Sequence, residues 1–273
     1  MTPPGLAPRL LPLRGPLVAD PRDASLLSTA DVIDSIRSAV VDRRSLSLIR
    51  MGDGENICAA QDAVLPAGEL AREAWSKYAD RNGFFMPNLA VRDHVITALR
   101  HADIVGVHPW NDRVISAPAR LKRALAERVF AHYSITPTKL CDASVSRLLP
   151  QEITFWEALR GRRLLLISKW APALKPILQR APYRFTSVHA MRFSWHEETH
   201  PTLARVRAIA SSFDVALVSC GVSALFLATE IAAMGKVAID FGQSAYFMTS
   251  DAAGLSGAAG LNKHPLASPS RRE

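Results

Sequence analysis

The sequence predicts an α/β protein, a doubly wound and mostly parallel sheet in a single domain, on three observations. Apolar runs of strand length alternate with helical patterns along the chain. Glycines and acidic residues gather where several of those runs end, the edge at which open α/β sheets bind ligands. At 273 residues, with 48% hydrophobic and 21% charged residues, the chain has the make-up of a globular protein able to bury one full core.

The first stretch, 1–25, is rich in proline, and Arg9 and Arg14 interrupt its leucines, so it reads as a flexible arm without the apolar segment of a secretory signal. A helix is predicted over 30–43, where Val32, Ile33, Ile36 and Val40 share one face and Ser28 or Thr29 offers an N-cap. A strand at 46–49 follows, its Leu46, Leu48 and Ile49 suited to burial. Helices at 67–80 and 91–101 lead to a strand at 104–107. Next come a helix at 117–132, a weaker strand at 138–141 and a helix at 150–158. The alternation closes with strands at 164–167, 185–188, 215–219 and 237–240, between which lie helices at 172–180, 201–211 and 223–234. The folded domain is set at 26–255, and 256–273 has the composition of a flexible tail.

The richest segment is the end of the first strand, Arg50-Met-Gly-Asp-Gly-Glu55. Gly52 and Gly54 permit a tight turn there. Asp53 and Glu55 offer hard oxygens to a Mg²⁺ or Mn²⁺ that a diphosphate also ligates. Arg50 adds a planar, bidentate donor for phosphate oxygens. The same letters are also ordinary turn chemistry, and the residues alone leave both readings open. Gly221 and Ser223 follow another strand, where the start of a helix would point amides at an anion, or where the glycine only turns the chain and the serine only caps. Asp240 ends the last strand, placed to act as a base, to accept sugar hydroxyls or to cap a turn. Asn111 and Asp112 follow Trp110, whose ring is either a stacking surface for a sugar or a packed side chain.

Composition narrows the classes. Three widely spaced cysteines argue against a disulfide framework and a Cys-rich zinc site, and fit a cytoplasmic protein. No apolar run approaches the roughly 18 residues of a membrane span. A net charge of +8 suits an anionic partner. It is spread over the pairs Arg43-Arg44, Lys122-Arg123, Arg162-Arg163 and Arg271-Arg272, read as solvated helix ends or tails, so no nucleic-acid partner is expected. His196, Glu197 and His200 match the letters of the zinc-hydrolase pattern His-Glu-x-x-His, but Pro201 follows at once among polar residues, leaving that a minor alternative.

The run Leu48-Ile-Arg-Met-Gly-Asp-Gly-Glu55 resembles the Arg-Phe-Gly-Asp-Gly-Glu signature of the GT-D-type glycosyltransferases. A second segment, Asp214–Ala224 continued through Leu227–Gly235 to Ala238-Ile-Asp-Phe-Gly242, is similar to that family's C-terminal part, with Val222-Ser223 standing for Pro-Thr and Gln243 for a final His. Val105-Gly-Val-His-Pro109 and the pair Ser146-Arg147 resemble its middle elements, whereas its Val-Glu-Gly element has no counterpart in Leu166–Trp170. The resemblance implies a Rossmann-like sheet of GT-D type and a bacterial, metal-dependent enzyme of polysaccharide or glycoprotein synthesis. Such an enzyme moves a sugar from a nucleotide-sugar donor, UDP-sugar favoured, to a saccharide, glycoprotein or lipid-linked acceptor. It implies Asp53 and Glu55 as ligands of Mn²⁺ or Mg²⁺, and Arg50, Gly52, Gly54, Ser146, Arg147, Gly221 and Ser223 around the donor. Asp112 and Asp240 are the candidates for a base. The alternative is a non-catalytic α/β module that binds a nucleotide or an assembly partner.

Overall fold

The protein is described by a computed structural model covering residues 20–73, 83–113, 115 and 117–252. Seven strands form one sheet in the order β3-β2-β1-β7-β6-β4-β5. They are β1 (Leu46–Met51), β2 (Ile104–Val107), β3 (Leu140–Asp142), β4 (Leu164–Ser168), β5 (Val188–Met191), β6 (Val215–Ser219) and β7 (Val237–Asp240). Every pairing is parallel. The expected doubly wound single domain is therefore what forms.

Parallel strands joined by helical crossovers are covered on both faces, so alternate residues of one strand enter different cores. Leu48, Leu164, Leu166 and Leu217 enter the layer that contains the helix Thr29–Val41. Ile49, Met51, Leu165, Ile167 and Val218 enter the layer that contains the helices Leu89–His101 and Ser223–Ala232. The helix Ser223–Ala232 is apolar almost all round, with Ala224, Leu225, Leu227, Ala228 and Ile231 buried, because it lies under the centre of the sheet with other helices beyond it. Among the described residues, no helix is long and apolar enough to cross a membrane.

Several boundaries differ from the sequence reading for physical reasons. The segment after β1 is not a simple turn: Asp53–Ala60 is a helix with Gly52 at its N-cap. Its residues Gly54 to Ala60 are all buried, so no polar face betrays it as an amphipathic helix. The helix foreseen at 117–132 is interrupted at Lys122, whose backbone leaves the helical region between a short 3-10 turn and Arg123–His132. The strand foreseen at 185–188 runs instead from Val188 to Met191. It is an edge strand in which only Val188 is buried, so it lacks the apolar run that marks the others. A final helix, Ser244–Ala252, was not foreseen. Of the helix foreseen at 67–80, Ala67–Leu70 forms, and 74–80 lies outside the described residues. The ends 1–19 and 253–273 lie outside them as well. Two residues of the expected arm touch the domain: the Arg22 guanidinium lies 4.1 Å from the centre of the Trp110 ring, and Asp23 accepts from the Trp110 amide at 2.9 Å.

Candidate functional site

The strand order changes direction beside β1: β2 and β3 lie on one side, and β7 and β6 on the other. At such a point the loops leaving adjacent strands run apart and open a crevice at the carboxyl edge. Arg50 near the end of β1 meets Asp240 at the end of β7, Nε to Oδ2 3.3 Å, with Asp240 almost wholly buried. Arg50 also reaches the carbonyl of Ala143, beyond β3, at 3.4 Å.

Gly242 makes this packing possible. Its φ of +54° is left-handed, and a Cβ there would stand 2.6 Å from Ser146 Oγ and 2.9 Å from Arg50 Nη2. Its amide donates to Asp240 Oδ1 at 2.9 Å, and Ser244 Oγ donates to the Ser146 carbonyl. The ends of β1, β3 and β7 are thereby tied into one cluster.

Glu55 turns inward in the first turn of its helix. A Cβ on Gly52 would lie 2.6 Å from Glu55 Oε2, so the glycine leaves the carboxylate its place. Burial pushes the Glu55 carboxyl up to about 7, against the pull of the Arg50 guanidinium and with Asp240 and Asp53 adding to the rise. Asp53 is half-buried. Burial likewise raises Asp240 despite Arg50, and lowers Arg147, which also feels the like charge of Arg50 and the opposite charges of Asp112 and Asp53. Arg147 Nη2 reaches Gln243 Oε1 at 3.4 Å.

Polar atoms without a hydrogen-bond partner collect here. Arg50 Nε, Asp240 Oδ2, Ser146 Oγ and Ser219 Oγ are all buried and unsatisfied, the first two ion-paired but outside hydrogen-bond geometry. Buried polar atoms are nearly always satisfied in proteins, and these four, unlike Asn56 Oδ1 or Tyr133 Oη elsewhere, lie together at the carboxyl edge, where a polar ligand could satisfy them.

The donor set tolerates a hard divalent cation. Two carboxylates suffice for Mg²⁺ or Mn²⁺ when phosphate oxygens and water fill the other positions. A cation beside Glu55 would also hold ionised a carboxyl that burial otherwise keeps near half-protonation at neutral pH. Among the described residues, no group of three or more His, Cys, Asp or Glu side chains forms a metal cage, so a site built on protein ligands alone is not present.

The remaining sequence candidates sit around this centre. Asp112 is held by Lys122 Nζ at 3.0 Å and His108 Nδ1 at 3.1 Å, in a buried cluster beside Asp142. Lys122 and Arg123 are not a solvated pair: both are buried, and Arg123 bonds Glu127 at 2.6 Å and meets Asp23 at 3.6 Å. Trp110 is covered by the Arg22 and Arg123 guanidinium groups, which makes it a packed ring. Gly221 is exposed after β6, and Gly54 is buried inside its helix.

Ser223 belongs to a chain that its role as a helix cap did not suggest. Its Oγ is 2.8 Å from His196 Nδ1, and His196 Nε2 is 3.0 Å from His94 Nδ1. His94 in turn stacks on Phe226, 4.1 Å between centroids. Burial and the neighbouring His94 depress His196 to about 4. With both ring nitrogens engaged, Glu197 and His200 exposed, and the three residues divided between a 3-10 turn and the next helix, the zinc-hydrolase letters do not become a zinc site. Gly242, Lys122 and His94 are the residues the sequence reading left out of the site and its surroundings, and His196 entered it only as a zinc candidate. Of the first three only Gly242 had a signal, the glycine two places beyond Asp240 at a strand end.

Residues 27–248 match the family described as the GT-D fold-like domain. Among solved structures, the chain is similar to a "highly conserved domain of unknown function 1792" described as having a distinct glycosyltransferase fold. The identity is 17% over 89% of this chain and 88% of that one, with a TM-score of 0.56. It is also similar to a glycosyltransferase (DUF1792) from Streptococcus sanguinis, at 15% identity over 88% of this chain and 89% of that one, with a TM-score of 0.58. At these identities the likeness is one of fold. No curated protein matches the chain.

Proposed function

The chain belongs to the family of GT-D fold-like domains, and from that premise we propose that it is a metal-dependent glycosyltransferase using a nucleotide-sugar donor. The observation that carries the reading is the convergence of Arg50, Glu55, Ser146 and Asp240 at the switch of strand order, where Glu55 is buried and polar atoms of the other three lack a hydrogen-bond partner. The solved structures named as glycosyltransferases support it through their shared fold.

In this reading the crevice receives the diphosphate of the donor, a UDP-sugar in the favoured case. Asp53 and Glu55 hold Mn²⁺ or Mg²⁺. When bound, the cation supplies positive charge to the departing diphosphate. Arg50, fixed by Asp240, directs its guanidinium at phosphate oxygens and stabilises the same developing charge without having to reorganise. Ser146 offers a hydroxyl to the donor, and Arg147, held less tightly, offers a second guanidinium. The amides at Gly221 and the start of the helix Ser223–Ala232 add a positive dipole end from β6.

Asp240 is the weaker candidate for a base, because it is buried and engaged by Arg50 and by the Gly242 amide. Its role here is to orient Arg50. Asp112 is paired with Lys122, so it would work as a base only after exchanging that partner for an acceptor hydroxyl. The acceptor is a saccharide, glycoprotein or lipid-linked saccharide, and the setting is the cytoplasmic side of bacterial polysaccharide or glycoprotein synthesis.

The test is a calorimetric titration of UDP, then GDP, into the protein with and without Mn²⁺, repeated on Asp53→Ala and Glu55→Ala. Binding that requires the metal and both carboxylates supports the reading. Binding of either nucleotide that ignores metal and carboxylates alike would replace it with a nucleotide-binding module that performs no transfer.

A further inference from the structure

The opposite edge of the sheet carries a cavity of about 480 Å³, lined in part by Arg43, Arg44, Arg162, Arg163, Lys236 and Asp214. Each basic group comes from a turn that ends a helix and feeds a strand. Arg43-Arg44 follow Thr29–Val41 and precede β1, Arg162-Arg163 follow Ile153–Ala158 and precede β4, and Lys236 follows Ser223–Ala232 and precedes β7. Two arginine pairs that read in the sequence as unrelated solvated ends thus face one space.

Cations at helix C-termini are stabilising in their own right, because the dipole leaves about half a negative charge at each end. Three such ends do not balance five cations. The only carboxylate in the lining is already engaged: Asp214 Oδ1 accepts from Arg163 Nη2 at 2.6 Å, and Oδ2 from Arg163 Nε at 3.1 Å and the Arg163 amide at 2.9 Å. Arg44 is held by the exposed Asp42 at 3.0 Å. Among the described residues, Arg43 and Arg162 enter no ion pair, and Lys236, whose ammonium lies 5.3 Å from the centre of the Phe213 ring, reaches Asp214 only through its longer-range charge.

The backbone adds an independent observation. Arg43 adopts φ +53°, a left-handed conformation for which glycine is the unstrained choice at a helix C-terminus. Gly235, next to Lys236, fills the equivalent kind of turn at φ +78°. At the first of these turns the chain instead keeps an arginine whose side chain lines the cavity.

We propose that this basic cavity is a second ligand site, separate from the carboxyl-edge crevice, that binds the phosphate of a small phosphorylated molecule without a metal. Its volume lies within the roughly 300–1,000 Å³ of small-molecule sites. Guanidinium groups converging from two turns match the oxygens of a phosphomonoester or diphosphate in bidentate fashion, with the Lys236 ammonium as a third charge. Its place beneath the starts of β1 and β7 puts it on the strands whose other ends hold Arg50 and Asp240.

The experiment is a calorimetric titration of inorganic pyrophosphate into the full chain at low ionic strength with EDTA present, repeated on Arg43→Gln/Arg162→Gln, on Lys236→Gln and on Asp53→Ala. The expected result is saturable binding of one equivalent, weakened at least about tenfold in the double variant, weakened in Lys236→Gln, and unchanged in Asp53→Ala. Lys236→Gln keeps the test decisive should the double variant not fold. Absence of saturable binding overturns the proposal, as does binding that survives the basic-residue substitutions or is lost in Asp53→Ala. Parallel titrations with phosphatidylglycerol vesicles and with a short oligonucleotide complete it. Binding to these alone, with none to pyrophosphate, overturns a small-molecule site in favour of a surface that reads phosphodiesters.

Discussion

Arg50 and Asp240 meet at 3.3 Å across the seam between β1 and β7, one side chain nearly buried and the other wholly so. A buried pair of this kind is costly to break from one side, since the partner is left as an uncompensated charge. Arg50→Met is expected to lower stability by about 3 kcal/mol or more, measured by urea unfolding. Arg50→Met/Asp240→Leu should recover much of that loss while leaving nucleotide binding abolished. A double variant that regains binding would remove Arg50 from the site.

Gly242→Ala tests the packing around the same guanidinium. The added methyl would meet Ser146 Oγ and Arg50 Nη2 at under 3.0 Å, on a backbone that is left-handed. The strained backbone alone costs about 1–2 kcal/mol. The larger expected effect is on Mn²⁺-dependent nucleotide binding, weakened well beyond what the stability change explains. Calorimetry on the folded variant reads the difference.

Acid should loosen the His94–His196–Ser223 chain. An unfolded histidine takes up a proton near 6.5, whereas His196 in the fold holds none until about 4, so the unfolded state binds more protons between those values. Stability is therefore full above about pH 6.5 and is lost as the pH falls toward 4, by up to about 3 kcal/mol. His94, depressed in the same direction, acts with it. Urea unfolding at pH 7, 6, 5 and 4.5 should show this slope, and His196→Gln should flatten it. Equal slopes would mean that carboxylates alone set the acid sensitivity.

Lys122→Met leaves Asp112 with one fewer cation in a buried position, beside His108. The expected loss is about 3 kcal/mol, with Lys122→Met/Asp112→Leu recovering part of it. If Asp112 is the base, sugar transfer disappears in Lys122→Met/Asp112→Leu and in Asp112→Asn, while donor binding persists. Turnover retained in Asp112→Asn would exclude it.

How much could be read beforehand follows from what each residue's neighbours are. Leu46, Leu48 and Ile49 advertise a buried strand because a parallel sheet covered on both faces demands continuous apolar runs. The edge strand β5 breaks that rule, with Ala190 exposed and His189 and Met191 only half-buried, and its position was misread by three residues. Asp53 and Glu55 stood out by type and spacing, but not the helix that carries them, because its remaining residues are uniformly buried and show no periodic face. Lys122 and Arg123 looked solvated because sequence gives the charges without the distant Asp112 and Asp23 that draw them inward. The link of His196 to Ser223 spans 27 positions, and no local pattern encodes it.

The last of the described strands, β7, is inserted between β1 and β6. During synthesis, the halves β3-β2-β1 and β6-β4-β5 can each begin to assemble, but no described strand links them into one sheet until residues 237–240 have emerged. The central pairing is thus the most distant in sequence, which makes folding slow relative to a protein built from local contacts. It also means that the growing chain cannot assemble Arg50, Ser146 and Asp240 in one place, and so cannot engage a ligand through them, until β7 has been made. The insertion acts as a check on completeness, because a product truncated before β7 carries two exposed strand edges in place of a crevice.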